Sequence, residues 1–127
     1  MQFSISIGGP NLFPICIVSE YIHTFFVFSL IEPARFVMQL QNITIPMTEK
    51  LRLQCTFTGD QKMFVTWYKD GKQLYGSYRY NTKVTKNSCI LECLHECNKE
   101  TSGRYSCEVS NSCGKDICHA QVIAVTG

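Results

Sequence analysis

Ser102-Gly-Arg-Tyr-Ser-Cys107 is the stretch of this 127-residue chain that decides the fold. Cys55 lies about fifty residues before Cys107, Trp67 follows Cys55 by about a dozen residues, and Tyr105 stands two residues before the second cysteine. This spacing is typical of two facing β-sheets in which an indole packs against a pair of sulfur atoms. The sequence therefore predicts an all-β sandwich with Cys55, Trp67, Tyr105 and Cys107 as its core signature.

The strands are predicted from alternation of apolar and polar side chains. Residues 50–57 alternate without a fault, which indicates a half-buried strand with Cys55 on its inner face. Asp70-Gly71 predicts a tight hairpin turn, and no helix of useful length is visible. The other predicted strands cover residues 36–38, 43–45, 63–69, 72–74, 78–84 and 89–94. Two more follow: one has Tyr105, Cys107 and Val109 on its inner face, and the last has Cys118, Ala120, Val122 and Ala124 there.

The strand over 89–94 has two registers to choose between. If Ile90 and Leu94 face the core, Glu92 faces it too, and an unpaired buried carboxylate is costly. We therefore expect the other register, with Cys89, Leu91 and Cys93 inward.

Residues 33–127 resemble the intermediate-set (I-set) immunoglobulin domains of titin- and obscurin-type muscle proteins. The resemblance rests on Val65-Thr-Trp-Tyr-Lys-Asp-Gly71, on Ser102-Gly-Arg-Tyr-Ser-Cys107 and on Val109-Ser-Asn-Ser-Cys-Gly114. It implies an immunoglobulin-like β-sandwich of two antiparallel sheets with Greek-key connections. One departure is Thr101, where the family usually has an aspartate that braces the corner before the next strand, so a looser corner is expected.

The resemblance also implies a function. Such domains are noncatalytic structural and protein-interaction modules of muscle or cytoskeletal proteins, with neighbouring immunoglobulin or fibronectin type III domains in the parent chain. The expected location is the cytoplasm, at the sarcomere or cytoskeleton. Two alternatives stay open: an extracellular adhesion or receptor domain with a weak signal peptide, and a fragment of a muscle kinase, whose kinase motifs would lie in missing sequence. We expect docking by strand pairing at the edges 38–44 or 117–125.

Residues 1–32 differ in composition from the rest. The first Lys or Arg is Arg35, and the segment is rich in Phe and Ile. A signal peptide would need a basic start, and a transmembrane helix would need about 20 apolar residues. Neither pattern fits well, so residues 1–32 are expected to be a weakly structured leader or non-native flanking sequence, and membrane association is not expected.

Eight cysteines are spread along the chain. Cys55 and Cys107 are expected on facing strands, so they are the candidate disulfide; the other six show no pairing pattern, which favours a reducing compartment. Asn42-Ile-Thr44 matches the N-glycosylation pattern, which matters only if the chain is secreted.

Composition and motifs exclude several function classes. The net charge is only +2 and the basic residues are scattered, so nucleic acid is not an expected partner. His23, His95 and His119 fall in the leader, a turn and an outward strand position, and no nucleophile elbow or phosphate loop accompanies them, so neither an enzyme nor a small-molecule substrate is predicted. Cys89, Cys93, His95 and Cys97 have zinc-like spacing, but a strand holds its residues in line, so no metal site or cofactor is predicted.

The aromatic residues around the third to fifth predicted strands have two interpretations. They either cover the flank of the sandwich or form an interaction surface, and covering is the favoured interpretation. The residues concerned are Phe64, Tyr68, Tyr75, Tyr78 and Tyr80.

Overall fold

A computed structural model describes residues 2–7, 15–22, 25–60, 62–76 and 79–126, with side chains from Ile31 onward. The described N-terminal residues form a separate antiparallel three-stranded sheet, although a weakly structured leader is expected from the sequence. The hydrogen-bonded order is β1–β2–β3. The strands are β1 (Gln2–Ile7), β2 (Ile15–Ile22) and β3 (Phe25–Ile31).

Two further sheets form the sandwich predicted for residues 33–127. The four-stranded sheet consists, in spatial order, of β4 (Arg35–Met38), β6 (Lys50–Thr58), β10 (Ser88–Glu96) and β9 (Tyr80–Val84). The five-stranded sheet consists of β5 (Ile43–Pro46), β12 (Gly114–Val125), β11 (Gly103–Asn111), β7 (Phe64–Lys69) and β8 (Lys72–Leu74). One 3-10 turn, Lys99–Thr101, is the helical element of the described residues.

The core lies between these two sheets, and the predicted alternation places its residues there. Along β6, Leu51, Leu53, Cys55 and Phe57 are all buried. On β10, Cys89 and Leu91 are fully buried while Leu94 is 42% exposed, which confirms the expected register. Glu92 is thereby kept at the surface, where it forms ion pairs.

The pairing of β5 with β12 differs from the expectation of purely antiparallel sheets. These two strands run parallel, with Val122 opposite Ile43 and Val125 opposite Pro46. Because β12 lies between β5 and β11, it is an interior strand. The prediction of a free edge at residues 117–125 is therefore wrong for residues 122–125, which pair with β5. The outermost strands of the two sheets are β4, β9, β5 and β8.

The turn between β7 and β8 forms as predicted. Asp70 and Gly71 have φ values of 51° and 82°, the left-handed conformation that a two-residue hairpin of this type requires. The Asp70 carboxylate accepts a hydrogen bond from the Arg104 amide at 3.0 Å. The turn is thereby joined to the start of β11.

Asn111, at the end of β11, anchors the segment through which the chain reaches β4. Its side-chain oxygen accepts a hydrogen bond from the Ala34 amide at 3.2 Å. Its side-chain nitrogen donates to the carbonyl oxygens of Glu32 and Asp60, at 2.8 and 3.0 Å. One amide group therefore holds three separate parts of the chain together.

Candidate functional site

The predicted core signature assembles at the centre of the sandwich. Trp67 is 2% exposed, and Tyr105 and Cys107 are fully buried. Trp67 lies on β7 directly opposite Cys107 on β11. Cys55 is contributed by β6 of the other sheet and is also buried. The indole and the two thiols therefore share one core.

A third thiol, which the spacing argument did not single out, lies between the predicted pair. The Cys89 sulfur is 3.1 Å from that of Cys55 and 3.4 Å from that of Cys107. All three sulfur atoms lie within 4.8 Å of one another, and all three cysteines are free thiols. The Cys55–Cys107 disulfide therefore stays a prediction. The sulfur of Cys89 is also close enough to Cys55 to be an alternative bonding partner.

Cys118 on β12 completes what we call the central thiol cluster: Cys55, Cys89, Cys107 and Cys118. Its thiol interacts with that of Cys55. The pKa of Cys89 is lowered, because the Cys107 and Cys55 thiols both hydrogen-bond to its sulfur. The pKa of Cys55 is raised, because its thiol donates hydrogen bonds to the neighbouring sulfurs, Cys107 first, and because it is buried. The pKa of Cys118 is also lowered, because its sulfur accepts a hydrogen bond from Cys55.

The cysteines with zinc-like spacing in the sequence behave differently. Cys97 is buried, Cys93 is half-buried and His95 is exposed. Among the described residues, the group of potential metal ligands that converges is Cys55, Cys89 and Cys107. The inward register of Cys89, predicted from the sequence, was the signal from which this group could have been identified.

Cys113, which showed no pairing pattern in the sequence, is disulfide-bonded.

What we call the corner is the turn before β11, formed by Asn98, Thr101 and Tyr105. The Tyr105 hydroxyl donates to the Thr101 carbonyl oxygen at 2.7 Å. The Thr101 hydroxyl accepts from the Asn98 amide at 2.9 Å, and the Asn98 side chain accepts from the Glu100 amide at 2.8 Å. Thr101 thus braces the corner through its own hydroxyl and carbonyl groups, in the place where the family usually has an aspartate.

The outer face of the five-stranded sheet carries a serine–histidine contact. Ser106 Oγ is 2.7 Å from His119 Nδ1. A nucleophile also needs its base to be oriented by a third group. The nearby carboxylate, Glu108, instead accepts a hydrogen bond from the Tyr68 hydroxyl at 3.2 Å and pairs with Lys115 at 3.7 Å. The Ser106–His119 contact is therefore interpreted as a hydrogen bond between the adjacent strands β11 and β12.

The aromatic residues near β7 to β9 divide into two groups. Tyr80 packs against the core, and Tyr68 is half-buried, which is the covering role favoured from the sequence. Phe64 and Tyr75 are 56% and 69% exposed, and the Lys62 ammonium lies 5.4 Å from the Phe64 ring. Tyr78 lies outside the described residues.

The predicted docking segment 38–44 lies between two outermost strands, β4 and β5. Val37 and Met38 on β4 are 63% and 64% exposed. Asn42, the candidate glycosylation residue, is also exposed, and its side-chain oxygen accepts from the Gln121 amide at 2.8 Å. The described residues contain no helix with the length and hydropathy of a membrane span.

Comparison with known families matches residues 34–124 to the immunoglobulin I-set domain. The chain belongs to this family. The I-set chain is similar to the muscle M-line assembly protein unc-89 of Caenorhabditis elegans, with 27% identity over 76% of the chain and 1% of the relative. It is 32% identical to mouse myopalladin over 72% of the chain and 7% of the relative.

Solved structures agree with this assignment. The I-band fragment I67–I69 of titin superposes with a TM-score of 0.68 at 28% identity, covering 72% of the chain and 32% of the fragment. The titin Z1Z2 domains, solved in complex with telethonin, share the fold with a TM-score of 0.71 at 23% identity, covering 89% of the chain and 61% of theirs. The I-set chain spans less than a tenth of the length of unc-89 and of myopalladin.

Proposed function

We propose that this I-set chain is a noncatalytic structural and protein-interaction module of a titin-like muscle or cytoskeletal protein, located in the cytoplasm at the sarcomere or cytoskeleton. The observation that carries the proposal is an open sheet edge at β4 with two adjacent apolar side chains exposed on it, Val37 and Met38. The similarity to unc-89, myopalladin and titin supports the class of parent protein.

Docking at this edge would use backbone groups and side chains together. An edge strand presents amide and carbonyl groups that another extended segment can pair with. The amides of Phe36 and Met38 are already occupied, because they donate to an Asp116 carboxylate oxygen at 3.0 Å and to the Thr56 hydroxyl at 3.1 Å. The exposed side chains of Val37 and Met38 would therefore supply most of the contact with the partner, whose matching segment should be extended and apolar.

The parallel pair β5–β12 supports a load-bearing role. β5 follows soon after the start of the sandwich, and β12 ends it. Tension applied to the two ends of the sandwich would pull these parallel strands in opposite directions, so that their hydrogen bonds are sheared together rather than broken one at a time. Such a geometry is suited to a module that is held under force.

The docking proposal is tested in striated muscle cells with the tagged chain. We expect the wild-type chain to accumulate at the sarcomere, and Val37→Asp with Met38→Asp to disperse it. Val84→Asp on the far edge strand β9, where Val84 is 54% exposed, is the matched control and should leave localisation unchanged. Equal localisation of all three proteins would contradict docking at β4.

The load-bearing proposal is tested by single-molecule stretching of Ile43→Pro and Thr44→Pro. Successive amides of a strand point to opposite sides, so only one of the two prolines removes a hydrogen bond between β5 and β12. We expect that variant to unfold at clearly lower force and the other to resemble the wild type. Unchanged unfolding forces in both would reject the shear mechanism.

The alternative function, an extracellular adhesion or receptor domain, has one observation in its favour. Asn42 is exposed on the approach to β5 and could carry a glycan. Mass measurement and thiol counting on protein from its natural source separate the two functions. An unglycosylated chain with reduced Cys55 and Cys107 supports the muscle module, whereas a glycan on Asn42 supports secretion.

A further inference from the structure

The central thiol cluster is built from two pairs of directly opposed residues, one pair in each sheet. Cys89 on β10 is opposite Cys55 on β6. Cys107 on β11 is opposite Cys118 on β12. All four side chains are buried, with at most 3% of any residue exposed. Each sheet therefore contributes two buried thiols; the sulfurs of Cys55, Cys89 and Cys107 converge within 4.8 Å of one another, and the Cys118 thiol adjoins them through its interaction with Cys55.

The sulfur separations are close to those that a tetrahedral metal centre needs. With a zinc–sulfur bond of about 2.3 Å, the sulfur atoms of a tetrathiolate site are about 3.8 Å apart. The Cys55–Cys89 and Cys89–Cys107 sulfur separations are 3.1 and 3.4 Å, and those three sulfurs lie within 4.8 Å of one another. Shifts of less than about 1 Å would bring the Cys55–Cys89 and Cys89–Cys107 separations to that value, and the Cys118 sulfur would move in as the fourth ligand.

The chemistry of the cluster selects soft ions. Thiolates favour zinc and copper(I), whereas calcium and magnesium require oxygen ligands. A buried thiolate without a counter-charge is costly, and a bound divalent ion offsets two of the four charges of a tetrathiolate site. Trp67, directly opposite Cys107, also has a buried Nε1–H with no hydrogen-bond partner among the described residues. An N–H donor is thus still available in the core that holds the sulfurs.

We propose that Cys55, Cys89, Cys107 and Cys118 form a zinc site inside the sandwich when the thiols are reduced. Zinc binds the sulfur atoms as thiolates, and the protons that they lose go to solvent, so that no oxidant or reductant takes part. Because the site is fully enclosed, the ion enters while the chain folds. A disulfide between any two of the four cysteines removes two ligands and excludes the metal.

The test is refolding of the reduced full-length chain from denaturant in the presence of zinc chloride. After removal of free metal, native mass spectrometry should show one zinc ion per chain, and the thermal midpoint should be higher than that of chain refolded with a chelator. Refolding with cobalt(II) should give intense sulfur-to-cobalt charge-transfer absorption and quench the fluorescence of Trp67, the single tryptophan. The cobalt spectrum tests ligation on the unmodified chain.

Variants then locate the site. Cys89→Ala and Cys118→Ala should each lower zinc retention at least tenfold, with circular dichroism used to verify folding. Cys97→Ala is the matched control, because Cys97 is also a buried free thiol but lies outside the cluster; it should retain zinc as the wild type does. Absence of zinc and of the charge-transfer band in the refolded wild type would overturn the proposal, as would zinc loss in Cys97→Ala with retention in Cys89→Ala.

Discussion

The centre of the sandwich is buried, as are Thr101 and Tyr105 of the corner, yet different interactions hold the two regions. At the centre, Trp67 and the central thiol cluster pack through apolar contact, and the thiols are only weak hydrogen-bond donors. At the corner, Tyr105, Thr101 and Asn98 are joined by directional hydrogen bonds between 2.7 and 3.0 Å. Volume therefore determines stability at the centre, whereas the position of individual polar atoms determines it at the corner.

The largest test removes volume from the centre. Trp67→Ala should lower the free energy of unfolding by about 3–5 kcal/mol, because a large buried ring is lost and its cavity is only partly refilled. Chemical denaturation followed by circular dichroism measures the change. Trp67→Phe keeps an aromatic ring and removes the unpaired Nε1–H, so its loss should be clearly smaller. Equal losses in the two variants would show that volume does not dominate there.

A smaller effect is expected at the corner. Tyr105→Phe keeps the ring and removes the hydroxyl that donates to Thr101. The Thr101 carbonyl then loses its buried donor, and unfolding free energy should fall by about 1–2 kcal/mol. Tyr75→Phe is the control, since Tyr75 is 69% exposed and donates to the Gln73 side chain at the surface; it should be nearly neutral.

The contribution of the Tyr105 hydroxyl to stability should depend on pH in the alkaline range. Burial, with a contribution from Tyr80, raises the pKa of Tyr105 above its ordinary value near 10. The neutral hydroxyl thus stabilises the fold below that pH, and the stabilisation is lost as pH rises beyond it, by at most about 1.4 kcal/mol per pH unit. The stability difference between wild type and Tyr105→Phe should narrow or reverse between pH 9 and pH 11, about one unit either side of the ordinary tyrosine value. A constant difference across that range would contradict the raised pKa.

The smallest effect is expected on the solvent side of β10, beside the centre. Glu92 is paired with Arg52 at 3.5 Å and with Lys83 at 3.8 Å, and all three side chains are partly exposed. Glu92→Gln should therefore change the unfolding free energy by less than about 1 kcal/mol, and salt should reduce the difference further. A loss comparable to that of Tyr105→Phe would mean that this surface network matters more than its exposure indicates.

The sequence was sufficient for the sandwich because its signals are local and repeated. Alternation over 50–57 and the Asp70-Gly71 turn each follow from a few adjacent residues, and the cost of burying Glu92 was enough to choose the register of β10. Which strands lie at the edge of a sheet could not be predicted from alternation. β12 alternates like a half-exposed strand, and only its parallel pairing with β5 over residues 122–125 shows that it is not the outermost strand of its sheet.

The candidate sites were harder to predict for the same reason. Cys55 and Cys107 were found from a known spacing, whereas the place of Cys89 between them depends on how the two sheets face each other. At the corner, the missing aspartate suggested weakness, but Thr101 supplies an equivalent acceptor through its hydroxyl. Contacts across sheets and substitutions of one acceptor for another leave no regular pattern along a sequence.

The side chain of Asn111 has a consequence for how such modules are joined in a row. Its amide fixes the backbone at Glu32 and Ala34 to the turn after β11, so the segment preceding β4 leaves the sandwich in one direction rather than swivelling. Asn111→Ala would remove the side-chain part of this attachment and leave the hydrogen bonds between Glu32 and Asp60. If such modules follow one another in a parent chain, as proposed above, this carboxamide would contribute to the bending rigidity of each junction.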